Sequence, residues 1–375
     1  MSYSHSRRKK AAEKSQMKKL RKELLNKPLN ITAVFIALNE EKSIPRLAKS
    51  LKYFSNRNVI VDTGSTDKTI EVAKEHGFEV YEMEWPKHFG KARNKAVELA
   101  KCNDADWIAM FDADEVLTKG VELKQQLKLL KPQIDLVAIY HKTGVGHRFH
   151  RNCIWKPGQA EWKFSVHEHL LSTHNNKSIT LDFDVLHPDA IGTEHDKAGL
   201  IEMLANDAEE YPDNATRQYY YGRQLYYESR LDCLPFLNHC AKISTWDAEA
   251  ANALVMMANI YSGKALQMKH DNKTKEAEEY KQKSLDCYRG SVVKYPKLRA
   301  SYAGIIREET DREEIVRAGL AALSIKESTF FDDSPKFYTD EFESWVKEKI
   351  AENAVEQIEI NENITVKEDS TIDVH

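Results

Sequence analysis

The sequence predicts an α/β domain with a mostly parallel sheet, followed by an all-helical half. Over roughly the first 130 residues, short apolar runs alternate with segments of helical spacing, which is typical of strands alternating with covering helices. From about residue 197 the helical pattern continues almost without strand signals. We therefore expect four parts: a basic arm at residues 1–28, the α/β domain at 29–195, a helical-repeat domain at 196–350 and an acidic flexible tail at 351–375.

Composition narrows the class of protein. The 375 residues include five cysteines without close-spaced pairs, which is typical of free thiols in a reducing compartment and favours a cytoplasmic location. No apolar run approaches the roughly 20 residues of a membrane span, and no apolar segment follows the basic start as in a secretory signal.

The basic arm concentrates positive charge. Residues 1–27 carry ten Lys or Arg and two acids, whereas the whole chain has a net charge of -4. One interpretation is a solubilising tail. The other is that residues 7–27 attract phosphate, on nucleic acid or on an anionic membrane surface.

The predicted strands of the α/β domain fall into two groups. The first four are expected at residues 31–38, 58–61, 79–83 and 107–111. All but the third are apolar runs, and in the third Tyr81 and Met83 alternate along the strand. Later strands are expected at residues 134–140, 146–152, 162–169 and 180–187.

The helical half is predicted to consist of hairpins. Residues 217–227 and 234–242 form one, residues 248–266 and 275–294 a second, and a shorter set follows. Small residues at Gly222 and Ala258 favour close helix packing, as in a degenerate two-helix repeat of roughly 34 residues. Such repeats would hold a peptide in their concave face or pair two protomers as a homodimer.

Two carboxylates directly follow the fourth predicted strand, at residues 107–111. In extended chain, Asp112 and Asp114 project to the same side, at the carboxyl end of a strand, where open α/β sheets bind ligands. Paired carboxylates there suit a hard divalent cation such as Mg²⁺ or Mn²⁺. Alternatively, they are ordinary turn residues.

Polar residues also follow the earlier strands. Asn39-Glu40-Glu41 ends the first, and Asp62 opens the loop Asp62-Thr63-Gly64-Ser65-Thr66-Asp67, where Ser65 or Thr66 can cap the next helix. Arg93, in Ala92-Arg93-Asn94, lies near a helix start, where backbone N–H groups and a guanidinium both suit phosphate. The alternative for Arg93 is a surface ion pair with Glu98 or Asp67.

These four motifs, in this order, resemble the family 2 glycosyltransferases over roughly residues 30–190. The later Arg148-Phe149-His150-Arg151 and Val166-His167-Glu168 resemble a subgroup that includes lipopolysaccharide-core glucosyltransferases and peptide S-glycosyltransferases, some with a tetratricopeptide-like C-terminal half. Most members have two adjacent acids where this chain has Asp62-Thr63. The Gln-x-x-Arg-Trp motif of processive synthases is absent, which favours a single transfer per encounter.

The resemblance implies the GT-A fold, a nucleotide-sugar donor and transfer with inversion. The donor, expected to be a UDP-sugar, would be bound by a set of residues at the strand ends: Asn39, Glu41, Asp62, Arg93 and Asp112. Asp62 would accept a hydrogen bond from uracil or ribose, or else only cap its own loop. Asn39 and Glu41 would hold that loop or the nucleotide.

The chemistry needs a metal and a base. Mn²⁺ or Mg²⁺ held by Asp114, oriented with Asp112, would neutralise the departing diphosphate. His187 or His167 would complete the metal shell, unless each is only a hydrogen-bonded core residue. Inversion requires a base opposite the leaving group, for which Glu168 is the candidate; its alternative is an ion pair with His167 or His169.

Two other classes remain open. A GT-A domain without catalysis would act with its helical repeats as an interaction scaffold, although the intact Asp112, Asp114 and Asp62 argue against this. A nucleotidyltransferase would carry a Gly-rich basic loop where Asn39-Glu40-Glu41 stands. The acceptor, whether glycan, lipid, peptide or nucleic acid, is not identified by any motif.

Overall fold

The computed structural model describes residues 16, 18–19, 21–143, 148–174, 177–188, 197–326, 337 and 339–354. The chain divides into two compact units, Met1–Met203 and Leu204–His375. Most of the basic arm, including residues 1–15, and residues 355–375 of the acidic tail lie outside the described residues.

The first unit is built around β-strands in two sheets. In chain order the strands are β1 (Ile31–Ala37), β2 (Arg57–Asp62), β3 (Glu79–Glu82), β4 (Trp107–Ala109), β5 (Val116–Leu117), β6 (Ile134–Thr143), β7 (Arg148–Trp155), β8 (Ala160–Lys163), β9 (His169–Ser172) and β10 (Lys177–His187). Eight of them form one sheet in the order β3-β2-β1-β4-β7-β6-β10-β5, and β8 pairs with β9.

The large sheet is mixed, with parallel pairs in the majority. β1 runs parallel to both β2 and β4, β2 is parallel to β3, and β6 is parallel to β10. β7 is antiparallel to its neighbours β4 and β6, and β5 is antiparallel to β10. The expected GT-A type of α/β sheet is thus confirmed. The strand order reverses at β1, so the carboxyl ends of β1 and β4 flank a switch point of the kind that binds ligands in open sheets.

Helices cover both faces of this sheet. They are α1 (Ile44–Leu51), α2 (Thr69–Glu75), α3 (Phe89–Ala100) and α4 (Gly120–Leu129). α1 buries Ile44 and Leu47 in the cluster that includes Phe35 and Phe111, and each such side chain contributes about 1.5–3 kcal/mol by its burial. α3 buries small residues on the opposite face, which lets this helix approach the sheet closely.

The second unit is helical throughout its described part. Helix α5 (Lys197–Glu210) begins before the boundary at residue 204 and ends after it. The helices that lie wholly in the second unit are α6 (Ala215–Tyr227), α7 (Leu234–Ile243), α8 (Asp247–His270), α9 (Thr274–Lys294), α10 (Arg299–Glu308), α11 (Arg312–Ser324) and α12 (Asp340–Ala354). Successive helices pack on one another, as expected for hairpins. A Cβ at Gly222 would lie 3.0 Å from Leu237 of α7, so the small residue does permit a close contact.

Two details of the strand prediction were wrong. Residues 162–169 are not one strand: β8 ends at Lys163, and a loop at residues 164–168 (the β8 loop) turns the chain before β9. Phe164 and His167 have φ of 76° and 51° in this loop, because its backbone bends to contact α3 instead of continuing a ladder. The second detail is that β4 ends at Ala109, so Asp112 and Asp114 lie in a turn and not on extended chain.

No helix among the described residues is both long enough and apolar enough to cross a membrane.

Candidate active site

The predicted site residues gather mainly at one edge of the large sheet. Asp62 is the last residue of β2, and the acidic turn (residues 112–115) follows β4. His187 is the last residue of β10. Because β1, β2 and β4 run parallel side by side, the segments after them meet at the same edge.

Asp62 closes the loop that follows β2 with only one of its oxygens. Its Oδ2 accepts hydrogen bonds from the N–H groups of Gly64 and Ser65, both at 2.9 Å. Gly64 has φ of 111°, a conformation that favours glycine. Asp62 is 2% exposed, and its buried Oδ1 has no hydrogen-bond partner among the described residues. One oxygen of this carboxylate is therefore left without a hydrogen bond from the described residues at the strand end.

Asn39 and Glu41 both contact the loop at residues 62–67 (the β2 loop). Asn39 Oδ1 accepts from the N–H of Thr66 at 2.8 Å, and the N–H of Asn39 donates to Ser65 Oγ at 2.8 Å. The N–H of Glu41 donates to Asp67 Oδ2 at 3.3 Å, and Glu41 Oε2 accepts from the N–H of Lys68, the residue after the loop, at 3.1 Å. Of the two roles considered for this pair, holding the loop is the one present in this structure.

The start of the helix after the β2 loop differs from expectation. Neither Ser65 nor Thr66 caps α2, which begins without a side-chain cap at Lys68. Asp67 is the residue that steadies this segment, since its Oδ1 accepts from the N–H of Thr69 at 2.9 Å.

Asp112 lies between two guanidinium groups. Nη2 of Arg93 is 2.5 Å from its Oδ1, and Nη2 of Arg151 is 3.4 Å from its Oδ2. Burial by itself would raise the pKa of Asp112, but the charges of Arg151 and Arg93 hold that pKa well below its usual range. Asp112 is therefore an anion whose charge is already compensated by the protein.

Arg93 is a buried bridge and not a surface residue. It is 2% exposed, its guanidinium lies 4.8 Å from the ring centroid of Trp162, and its Nε donates to Glu168 Oε1 at 2.8 Å. Of the partners considered for a surface pair, Glu98 is bonded to Lys95 instead.

The start of α3 has no open N–H groups for a phosphate in its first turn. The N–H groups of Phe89 and Gly90 donate to carbonyls of the β8 loop, and that of Lys91 donates to His88 Nδ1. Phosphate binding at this helix start would require the β8 loop to move.

Glu168 ends the β8 loop and is held at the site by Arg93. Its side chain is 9% exposed, and Nη2 of Arg93 is also within 2.7 Å of its Oε1. The neighbouring His167 is exposed. The two histidines proposed for the metal lie on different segments. His167 is on the β8 loop, and His187 is at the end of β10.

Asp114 and His187 form a pair from distant parts of the chain. His187 Nε2 is 2.5 Å from Asp114 Oδ2, and their side chains are 32% and 28% exposed. Burial raises the pKa of Asp114, with the negative charge of Asp112 adding to the rise. Burial would lower the pKa of His187, but the hydrogen bond and charge of Asp114 reverse this and raise it.

Glu40, Glu115 and His141 also lie at this edge and, like Arg151, were absent from the predicted site. Glu115 accepts from the N–H of Asp112 at 2.7 Å, contacts Arg151 at 3.3 Å, and lies 2.6 Å from His141 Nδ1. Glu40 is half-buried, and burial together with the charge of Asp114 raises its pKa. Glu40 lies inside the motif Asn39-Glu40-Glu41, and Glu115 directly follows Asp112-Ala113-Asp114, so the sequence offered a signal for both. It offered none for His141, which only the fold brings to this edge from β6.

The residues present fit a metal held by few protein ligands. Among the described residues, no three or more His, Cys, Asp or Glu side chains come together in a ready-made metal cluster. Asp114 and His187 nevertheless present a carboxylate oxygen and an imidazole nitrogen to each other, partly open to solvent. Mg²⁺ is commonly bound through one or two carboxylates plus substrate phosphates and water, which this pair allows.

Comparisons with known proteins found a matching family model and several similar sequences. Residues 32–180 match the family described as glycosyl transferase family 2. The SPbeta prophage-derived glycosyltransferase SunS of Bacillus subtilis (strain 168) is 27% identical over 210 residues, covering 52% of this chain and 49% of that protein. The TPR repeat-containing protein Synpcc7942_0270 of Synechococcus elongatus is 34% identical over 99 residues, covering 26% of this chain and 24% of that protein. The chain thus spans about half or less of the length of these relatives.

Among solved structures, glucosyl-3-phosphoglycerate synthase from Mycobacterium tuberculosis, in complex with Mn²⁺, UDP and glucosyl-3-phosphoglycerate, matches with 22% identity and a TM-score of 0.27. The match covers 32% of this chain and 48% of that one.

The first unit thus combines a mixed sheet of the GT-A type with a match to the glycosyl transferase family 2 model. The similarity to glycosyl transferase family 2 covers residues 32–180, which is less than half of the chain.

Proposed function

We propose that the protein is a metal-dependent, inverting glycosyltransferase that moves one sugar at a time from a nucleotide-sugar, of the UDP type, to an acceptor. The observation that carries the proposal is the joint placement of Asp62 and Asp114 at one sheet edge. Asp62 offers a buried oxygen without a partner, and Asp114 faces His187. A nucleotide would use the unpaired oxygen of Asp62. A cation bound to the diphosphate of that nucleotide would use Asp114 and His187.

The donor is bound at the carboxyl ends of β1, β2 and β4. Asp62 Oδ1 accepts a hydrogen bond from the uracil or ribose, while Asn39 and Glu41 keep the β2 loop in place for it. Asp112, fixed by Arg93 and Arg151, borders the diphosphate and orients the turn that carries Asp114.

Asp114 and His187 would hold Mn²⁺ or Mg²⁺. The bound ion supplies Lewis-acid neutralisation of the negative charge that develops on the diphosphate leaving group. The 2.5 Å contact between the two side chains favours His187 over His167 for the nitrogen ligand.

Glu168 is the proposed base. It takes the proton of the acceptor on the side opposite the leaving group, as inversion requires. Arg93 holds Glu168 and Asp112 at the same time, so the acceptor side and the donor side are fixed by one guanidinium.

The acceptor is the open part of the proposal. The candidates are a glycan or lipid, a peptide and a nucleic acid, and the basic residues 7–27 would favour one that carries phosphate. The helical unit would supply a peptide groove or a homodimer contact. All five cysteines are free thiols, which fits a reducing compartment such as the cytoplasm.

A thermal-shift panel of UDP-, GDP- and CMP-sugars, each with and without Mn²⁺, tests the proposal. A ligand that binds only the folded protein raises its stability with the logarithm of ligand concentration, so a UDP-sugar with Mn²⁺ should give the largest shift. Slow UDP release from that sugar should accompany it. Binding without any UDP release would favour the inactive scaffold, and no shift with any nucleotide-sugar would contradict the proposal.

A further inference from the structure

Asn94 of α3 is bonded to the backbone of β8 in both directions. Its Nδ2 donates to the carbonyl of Trp162 at 2.9 Å, and its Oδ1 accepts from the N–H of Trp162 at 2.9 Å. The side-chain amide thereby takes the place of a neighbouring strand for this residue. One amide in one orientation satisfies both backbone groups, so Asn94 fixes the position of Trp162 relative to the helix.

The same helix also holds the β8 loop at its first turn. The N–H groups of Phe89 and Gly90 donate to the carbonyls of Ser165 and Phe164, at 2.9 and 3.1 Å. A Cβ at Gly90 would lie 2.7 Å from the carbonyl oxygen of Phe164, closer than such atoms approach. This contact therefore depends on glycine at position 90.

The β8 loop needs to be held because its backbone is strained. Phe164 and His167 are non-glycine residues with φ of 76° and 51°, which the surrounding structure must enforce. Glu168, which follows them, reaches Arg93 on the same helix at 2.8 Å. Three residues of α3, Gly90, Arg93 and Asn94, thus contact the segment that ends in Glu168.

We propose that Asn94 is a positioning residue for the transfer reaction, and that it acts through Glu168 by fixing β8 and the β8 loop against α3. This inference rests on the proposed role of Glu168 as the base. Asn94 itself does not touch the reacting atoms. Its effect on rate should therefore disappear once Glu168 can no longer accept a proton.

The structural arm of the test uses amide hydrogen exchange and needs no substrate. Asn94→Ala should speed exchange at the amides of Phe89 and Gly90 by about tenfold or more, because these bonds protect only while the β8 loop is docked. The amide of Trp162 is not informative, since its own partner has been removed. Lys95→Ala is the matched control, because Lys95 only pairs with Glu98 on the surface of the same helix.

The kinetic arm measures UDP release from UDP-glucose with Mn²⁺, with water in place of the acceptor. Asn94→Ala should lower kcat by about tenfold or more and leave KM for the donor within about twofold. In a Glu168→Gln background the same change should cost less than about twofold, since residues that act as a unit are not additive. Asn94→Asp, which keeps an acceptor for the N–H of Trp162 but loses the donor to its carbonyl, should fall between Asn94 and Asn94→Ala.

The outcomes separate this inference from the proposed function. Unchanged exchange at Phe89 and Gly90 in Asn94→Ala would overturn the positioning role, whatever the rates. A second outcome is faster exchange together with full, multiplied losses of kcat when Asn94→Ala is combined with Glu168→Gln. That outcome would show that Asn94 does not act through Glu168. If Glu168→Gln alone keeps the full rate, the base assignment of the proposed function fails, and the exchange result alone then decides whether Asn94 holds the segment.

Discussion

Arg93 and Glu168 form an ion pair that is almost entirely buried. The Nε of Arg93 lies 2.8 Å from Oε1 of Glu168, and their side chains are 3% and 9% exposed. The same guanidinium reaches Asp112 at 2.5 Å. The two carboxylates to which the proposed function gives different roles therefore depend on one arginine.

Replacing Arg93 by Met should destabilise the protein strongly. Removing one partner of a buried ion pair leaves uncompensated charge, so we expect a loss of about 3–5 kcal/mol in the free energy of unfolding. Urea unfolding measures this, and Arg93→Met/Glu168→Leu should recover part of the loss. Arg230→Ala, which breaks an exposed pair with Asp232, should leave unfolding nearly unchanged. An equally small effect at Arg93 would mean that the buried pair is absent in solution.

Asp114→Ala should remove the metal-dependent part of donor binding. The side chain is 28% exposed and lies in a turn, so its loss opens no core cavity and the melting temperature without ligand should change little. With a UDP-sugar, the additional shift caused by Mn²⁺ should vanish, as should UDP release. Asp104→Ala, at an exposed aspartate of the same unit, is the control. Full turnover of the Asp114 variant in the presence of chelator would show that the metal assignment is wrong.

Asp62→Asn should weaken nucleotide binding by about tenfold, which corresponds to about 1.4 kcal/mol. The asparagine oxygen can still accept from Gly64 and Ser65, so the β2 loop should remain folded. The atom that replaces Oδ1 of Asp62 becomes an N–H₂ group, which cannot accept a hydrogen bond from the nucleotide as Oδ1 would. Calorimetric titration with UDP and Mn²⁺ measures the change. If UDP binds the unchanged protein and Asp62→Asn with equal affinity, Asp62 only holds the β2 loop and does not contact the nucleotide.

Glu168→Gln should bind the donor normally and lose about 10²-fold or more in the rate of UDP release. Glutamine keeps the shape of the side chain and an oxygen for Arg93 but does not take up a proton. Glu161→Gln, at an exposed glutamate of β8, controls for changes in that strand. A normal rate in the Glu168 variant would move the role of base to another carboxylate.

Deleting residues 1–27 should alter acceptor binding mainly at low salt. Contacts between basic residues and phosphate weaken as salt rises, with the logarithm of affinity falling in proportion to the number of contacts. We expect weaker binding to single-stranded RNA or to anionic vesicles at 50 mM salt, and unchanged UDP release. If neither affinity nor its salt dependence changes, the arm takes no part in binding, and the helical unit becomes the place to seek the acceptor.

Much of the fold followed from local patterns in the sequence. The strands β1, β2 and β3 match the predicted ranges to within about a residue. The first two contain a compact apolar run, and the third shows the alternation of Tyr81 and Met83. The segment at residues 162–169 has a similar apolar pattern, yet the backbone breaks at Phe164. Its hydrogen bonds go to α3, and no local signal in residues 162–169 reveals a partner so far away in the chain.

By itself, the sequence determined the class of domain and the placement of acids at strand ends. Asp62, Asp112 and Asp114 follow apolar runs, and parallel strands must bring such ends to one edge. Only the tertiary structure decided how these residues are paired: Asp114 with His187, 73 residues apart, and Arg93 with Glu168, 75 residues apart. An ion pair depends on distances of a few ångströms, which strand order and loop docking set, so residue type and spacing along the chain do not specify it.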